Sequence, residues 1–188
     1  MIEGRIRRTD THRLFFALWP GRGLRQALAA ASEEILAGVT GKRVPASNLH
    51  VTLAFLGAVP GRALAELVAV GGHGPWPRVR LDFDRIEYWP RPRVLVALPA
   101  VLPLAGAGIV DRLWSALEPK GFRREKCPWS PHLTLMRKLR HPLARDFAPA
   151  IPREPAREAS DWGLALVESE TLPEGPRYRP LADWPLGY

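Results

Sequence analysis

Two short stretches of the chain place a threonine two residues after a histidine: Leu49-His50-Val51-Thr52-Leu53 and Pro131-His132-Leu133-Thr134-Leu135. Along an extended strand, alternate side chains point to opposite faces. His50 and Thr52 therefore share one face while Leu49, Val51 and Leu53 share the other, and the second stretch divides the same way. Each stretch offers a polar pair on one side and an apolar anchor on the other. With five histidines and six threonines in 188 residues, random placement gives about 0.16 such pairs, and two are present. A single pair reads most simply as a half-buried histidine bonded to its threonine. Nothing in sheet stability, however, asks for the same spacing twice.

A five-membered cyclic phosphate opens when one group deprotonates the attacking water and another, across phosphorus, protonates the departing ribose oxygen. Imidazole titrates near neutral pH, so of two facing histidines one can be neutral while the other is charged. Each typically contributes about 10² to 10⁴ in rate and together they give a bell-shaped pH profile. The threonine hydroxyls, one strand step away, can donate to the non-bridging phosphate oxygens and steady the developing charge. This chemistry calls for no metal and no other cofactor, and the chain carries no His-x-x-x-His pair or cysteine cluster to hold one. Which histidine acts as the acid stays open on these grounds.

The elements that must position the two pairs recur along the chain. Arg13 to Trp19 reads as a buried strand ended by Pro20 and Gly21. Leu24, Leu28, Ala31 and Ile35 follow at helical spacing, with Gly38 beyond the end. A strand over Asn48 to Leu56 carries the first pair, a helix is expected over Arg62 to Val70, and Val79 to Trp89 alternates as a strand does. The order then repeats: a strand over Arg93 to Leu98, a helix over Leu104 to Leu117, the strand around His132, and a closing strand over Trp162 to Glu170. Arg13 and Arg93, His50 and His132, and Glu87 and Glu168 lie 80, 82 and 81 residues apart. This near-constant offset reads as a duplicated half, residues 13–90 and 91–170, packed about a pseudo-twofold axis. The result is one domain over 13–188, preceded by an extension over 1–12 whose Ile2-Glu3-Gly4-Arg5 resembles a protease-cleavage linker. The proline-rich stretch 142–155 is expected to be a surface loop, and the tail from Leu172 to Tyr188 an irregular strand along the body.

A net charge of +8 and a sequence pI near 10.5 suit a polyanionic partner such as RNA. No apolar run approaches the roughly 20 residues a membrane helix needs, and no export signal is legible, so the chain is expected to be cytoplasmic, with no membrane partner and a monomeric state. Cys127 is the lone cysteine, which rules out an internal disulfide. His12, His73 and His141 have no partner spacing and are expected in loops, exposed or satisfied. Arg123-Arg124-Glu125-Lys126 is either a rim for the cleft or a solvated loop.

Arg13-Leu14-Phe15-Phe16-Ala17-Leu18-Trp19-Pro20, Asn48-Leu49-His50-Val51-Thr52-Leu53-Ala54-Phe55-Leu56-Gly57, Pro131-His132-Leu133-Thr134-Leu135-Met136-Arg137 and the closing Leu181 to Leu186 resemble the 2H phosphoesterases, specifically the LigT-like or ThpR-type RNA 2′,3′-cyclic phosphodiesterases, also described as 2′-5′ RNA ligases. The resemblance implies an α+β fold of two pseudo-symmetric lobes with antiparallel sheets around a central cleft, and hydrolysis of RNA 2′,3′-cyclic phosphate ends to 2′-phosphates, with reverse joining of 2′-5′ ends at the same site. It implies His50 as proton donor, His132 as proton acceptor, and Thr52, Thr134 and Arg137 as phosphate ligands. Strand parity puts Arg137 opposite His132, so a bulge or a strand end is required there. Phe15, Trp129 and Tyr178 are candidates for stacking on a base, with core packing the alternative. The rival function is a non-catalytic nucleotide-binding module of the same fold. A double-stranded nucleic-acid binder acting by charge alone is a further alternative, and would keep its binding without the histidines.

Overall fold

The computed structural model describes residues 11–139, 162–173 and 175–187. The chain runs β1 (Thr11–Pro20), α1 (Arg22–Ile35), β2 (Lys42–Arg43), β3 (Val51–Pro60), α2 (Leu64–Gly71), β4 (Phe83–Trp89), β5 (Val94–Pro99), α3 (Leu104–Leu117), β6 (Leu133–Arg137), β7 (Trp162–Leu172) and β8 (Gly175–Pro185). The strands form two four-stranded antiparallel sheets, ordered β3-β1-β7-β8 and β2-β6-β5-β4. Helices and antiparallel sheets together make the α+β fold that the resemblance implies.

The sheets cross the division at Pro90-Arg91-Pro92. β4 precedes that point in sequence yet pairs with β5, and β7 follows β6 yet pairs with β1. The three-strand orders β3-β1-β7 and β6-β5-β4 therefore correspond, each taking its third strand from across the division.

The central strands are apolar on both faces for different reasons. On β1, Leu14, Phe16 and Leu18 join the main core with α1 residues Leu24, Leu28 and Ile35, while Phe15 and Ala17 pack on the other face with Ala165 and Val167 of β7. On β5, Leu95 and Ala97 join the main core with Ile109, Leu113 and Leu117 of α3, while Val94, Val96 and Leu98 cluster on the opposite face with Trp89. Burial on both faces explains why these strands read as continuous apolar runs rather than alternating ones.

Two expectations change. Only Phe83–Trp89 of the 79–89 stretch is a strand. Val79 and Leu81 are nonetheless buried, so the alternation there reports burial without pairing. The tail packs along the body as the expected irregular strand, eleven residues over Gly175–Pro185. It lies at a sheet edge, where Pro176, Pro180 and Pro185 need donate to no further neighbour, and its register slips once, past Leu181. His12 is not in a loop: it pairs opposite Val59 in β1 and is buried. Stretch 142–155, His141 and the 1–10 segment lie outside the described residues. Among the described residues no helix is long and apolar enough to cross a membrane.

Candidate active site

The two histidines stand at equivalent places, immediately before β3 and β6. The strand expected from Asn48 begins only at Val51, because Ala46–Asn48 form a 3₁₀ turn that closes on Pro45. After each threonine the ladder skips one residue. Ala17 faces Thr52 and Phe16 faces Ala54, passing over Leu53, while Val96 faces Thr134 and Leu95 faces Met136, passing over Leu135. Such a bulge reverses the facing of everything beyond it. Leu53-Ala54 and Leu135-Met136 are consequently consecutive buried residues, and Phe55 and Arg137 return to the face of the histidines. The bulge required for Arg137 is thus present, and His50, Thr52, His132, Thr134 and Arg137 line one cleft of about 370 Å³ together with Arg13, Phe15, Phe55, Ser169, Thr171, Pro176 and Tyr178.

Each imidazole is held by the carbonyl two residues before it: His50 Nδ1 lies 2.7 Å from the oxygen of Asn48, and His132 Nδ1 lies 2.9 Å from that of Ser130. A carbonyl only accepts, so Nδ1 carries the proton in both rings and Nε2 is the nitrogen left for chemistry. Burial is the main force on both protonation equilibria. It pushes His50 down from 6.5 to about 4, with the Arg137 and His132 charges adding to the fall and the Asn48 carbonyl opposing it. His132 is lowered by burial and by Arg137, against the pull of the Ser130 carbonyl. His50 sits among Phe15, Trp19 and Tyr178, with ring centroids at 5.0, 5.8 and 4.9 Å. His132 meets Trp89 at 4.7 Å.

With this geometry, residues 19–96 match the family described as LigT like Phosphoesterase. The chain is 33% identical over 191 residues to the RNA 2′,3′-cyclic phosphodiesterase of Thermus thermophilus, covering 93% of this chain and 90% of that one. It is 30% identical over 177 residues to the Archaeoglobus fulgidus protein of the same name, covering 90% and 97%. The chain belongs to the LigT-like phosphoesterases. Escherichia coli LigT solved with 3′-AMP superposes with a TM-score of 0.77 at 26% identity, over 95% of this chain and all of that one. A Thermus thermophilus structure does so with a TM-score of 0.73 at 27% identity, over 93% and 97%.

In this LigT-like chain several side chains supporting the cleft carried little or no signal in sequence. Asn48 is buried, and its amide donates to the Pro176 carbonyl at 2.7 Å while its oxygen accepts from the Tyr178 N–H at 3.3 Å. It ties β8 to the approach of β3, and its place two residues before the histidine was the only clue. Phe15 and Tyr178 line the cleft, whereas Trp129 does not; its indole donates to the Thr52 carbonyl at 2.8 Å from an adjoining cavity. Arg13 lies over the Phe55 ring at 4.8 Å, whereas its sequence counterpart Arg93 bonds to the Leu139 carbonyl away from the cleft. Of the basic run 123–126, Arg124 and Glu125 line an adjoining cavity with the exposed Cys127, and Arg124 pairs with Asp111 at 2.8 Å. His12 Nδ1 and Arg179 both hold Glu168, at 2.6 and 2.7 Å, on the far side of β7 from the cleft residues. Among the described residues no three His, Cys, Asp or Glu side chains converge as metal ligands.

Proposed function

We propose that this protein hydrolyses 2′,3′-cyclic phosphodiester ends of RNA to 2′-phosphates by two-histidine acid/base catalysis without a metal. The observation that carries this reading is the meeting of both His-x-Thr pairs in one cleft, each imidazole presenting Nε2 from a fixed tautomer. The names of the Thermus and Archaeoglobus relatives give the reaction its substrate. His132 Nε2 takes the proton of the attacking water, and His50 Nε2 gives a proton to the departing ribose oxygen. Thr52, Thr134 and Arg137 hold the non-bridging oxygens. With a 5′-hydroxyl in place of water, His132 takes the proton of that hydroxyl, the 5′ oxygen bonds to phosphorus, and the 3′ oxygen leaves with the proton from His50, so the same groups join 2′-5′ ends.

His50 as donor carries a condition. Held near 4 by burial, it is neutral in the free protein at pH 7. Its proton is therefore taken up with the substrate, whose phosphate charge in the cleft favours imidazolium. The Trp19 ring face stacked on the imidazole at 5.8 Å then attracts that cation. All five proposed side chains come from one chain, which suits a monomer, and the lone Cys127 suits the cytoplasm. The corresponding orders β3-β1-β7 and β6-β5-β4 support a duplicated origin for 13–90 and 91–170. The test is turnover of a cyclic-phosphate RNA end by His50→Ala and His132→Ala: each should lose about 10² to 10⁴ in rate while binding and fold persist. Near-normal turnover by either variant sinks the mechanism.

A further inference from the structure

The cleft is symmetric in its histidines and threonines and asymmetric one bulge further on. Phe55 and Arg137 occupy equivalent strand positions, three residues past each threonine, yet one is aromatic and the other cationic. Each forms a wall shared with a second cavity, and the two cavities differ in the same sense. Beyond Phe55, Thr52 and His132, the wall carries Trp89, Trp114 and Trp129, with Arg124 offset by Glu125. Beyond Arg137, Pro176 and Tyr178 lies a space of about 430 Å³ lined by Lys42, Arg43, Arg137 and Arg177, with no carboxylate among its described lining residues.

Two of these cations are held in place from outside the cavity: Arg43 by Glu33 at 2.6 Å and Arg177 by Glu170 at 2.5 Å. Lys42 reaches across to the start of β8, its ammonium only 3.1 Å from where a Cβ on Gly175 would stand. A glycine at that position leaves the ammonium room. Ser47 adds a hydroxyl, and the pinned Pro176–Tyr178 segment gives the wall a fixed edge.

An RNA end differs from a mononucleoside cyclic phosphate in one respect that matters here: its terminal ribose continues, through O5′, into an anionic backbone. The catalytic cleft, at about 370 Å³, is near the small end of the roughly 300–1,000 Å³ range of ligand sites, so a chain longer than one nucleotide has to leave it. Resting on the hydrolase reading above, we propose that it leaves past Arg137, and that the cavity of Lys42, Arg43 and Arg177 is the subsite for the backbone phosphate linking the terminal nucleotide to its neighbour. Phosphate contacts of this kind carry affinity that falls with salt and is indifferent to base sequence. The protein is then built for oligonucleotide ends, with mononucleoside cyclic phosphates as poor substrates.

The experiment compares a short oligoribonucleotide ending in a 2′,3′-cyclic phosphate with a mononucleoside 2′,3′-cyclic phosphate, using the full chain and its Lys42→Ala and Arg177→Ala variants. The full chain should favour the oligonucleotide about tenfold or more in kcat/KM, one contact's worth at about 1.4 kcal/mol. Each variant should lose several-fold on the oligonucleotide through KM, keep its rate on the mononucleoside substrate, and show a log–log salt slope shallower by about 0.7 per lost phosphate contact. Equal kcat/KM for the two substrates, or variants that change both alike or neither, overturns the subsite and leaves the hydrolase reading standing. Turnover of neither substrate overturns both.

Discussion

Replacing Asn48 by alanine should weaken the protein and its cleft together. The side chain is buried, donates to the Pro176 carbonyl at 2.7 Å and accepts from the Tyr178 N–H at 3.3 Å. Leaving a buried polar group unpaired costs about 1–3 kcal/mol. The longer bond is weak, and water reaches the half-buried Pro176 and Tyr178 in part, so the combined cost is about 2–3 kcal/mol. For a chain of this size each kcal/mol lowers Tm by about 2–4 °C, giving a fall of about 4–12 °C. The backbone carbonyl that fixes the His50 tautomer survives the substitution. Tyr178, whose ring centroid lies 4.9 Å from that of His50, loses its anchor. Turnover should therefore fall about tenfold, equivalent to about 1.4 kcal/mol of lost positioning, with the pH profile unchanged in shape. Asn48→Asp should be at least as costly, since a carboxylate facing the Pro176 carbonyl repels where the amide donated. Differential scanning calorimetry and steady-state kinetics read both effects. A Tm within about 2 °C of the parent would refute the tie between β8 and the first histidine.

Because burial lowers both histidines, His50 to about 4, the free protein at pH 7 carries the pair doubly neutral. kcat/KM should accordingly rise as pH falls from 8 towards 6 and peak below 6.5, while kcat, which reports the phosphate-bound state, peaks higher; a kcat/KM maximum above pH 7 contradicts the burial argument. At Gly106 an added Cβ would stand 2.7 Å from the Trp129 ring, whose indole holds the Thr52 carbonyl. Gly106→Ala should thus cost about 1–3 kcal/mol by overpacking and lower turnover through the strand of the first pair, and normal kinetics would show that Trp129 is not coupled to it. Burial raises the Glu168 carboxyl, but Arg179 and His12 outweigh it and hold it below its usual range. Its stabilisation is present above about 4.5 and lost as pH falls through the lowered value, so Glu168→Gln should lower Tm at pH 7 and converge with the parent in acid.

The paired histidines were legible because a period of two sorts His and Thr from their apolar neighbours without any tertiary information. α3 was legible in full, since Leu104–Leu117 carries an uninterrupted helical stripe bounded by Pro103 and Pro119. What period counting could not supply was the bulge: parity sends Arg137 to the wrong face until Leu135 is skipped, and the skip is set by how β6 meets β5. His12 was misplaced for a related reason. Its burial depends on Glu168 and Arg179 arriving from β7 and β8, more than 150 residues away in sequence. Phe15 and Tyr178 were weighed as base-stacking or core residues; they pack against each other at 5.3 Å and also line the cleft, a placement that alternation alone does not supply. The exchange of β4 and β7 between sheets follows from pairing partners, which carry no local mark.

The most direct measurement is incubation of the protein, in excess EDTA, with a short RNA ending in a 2′,3′-cyclic phosphate, followed by identification of the terminal phosphate. Conversion to the 2′-phosphate at an undiminished rate is the expected result, because in the proposed mechanism proton transfer by His50 and His132 and charge stabilisation by Thr52, Thr134 and Arg137 carry the step. Abolition of turnover by EDTA, or tight binding of the RNA end with no turnover at all, would contradict metal-independent two-histidine hydrolysis.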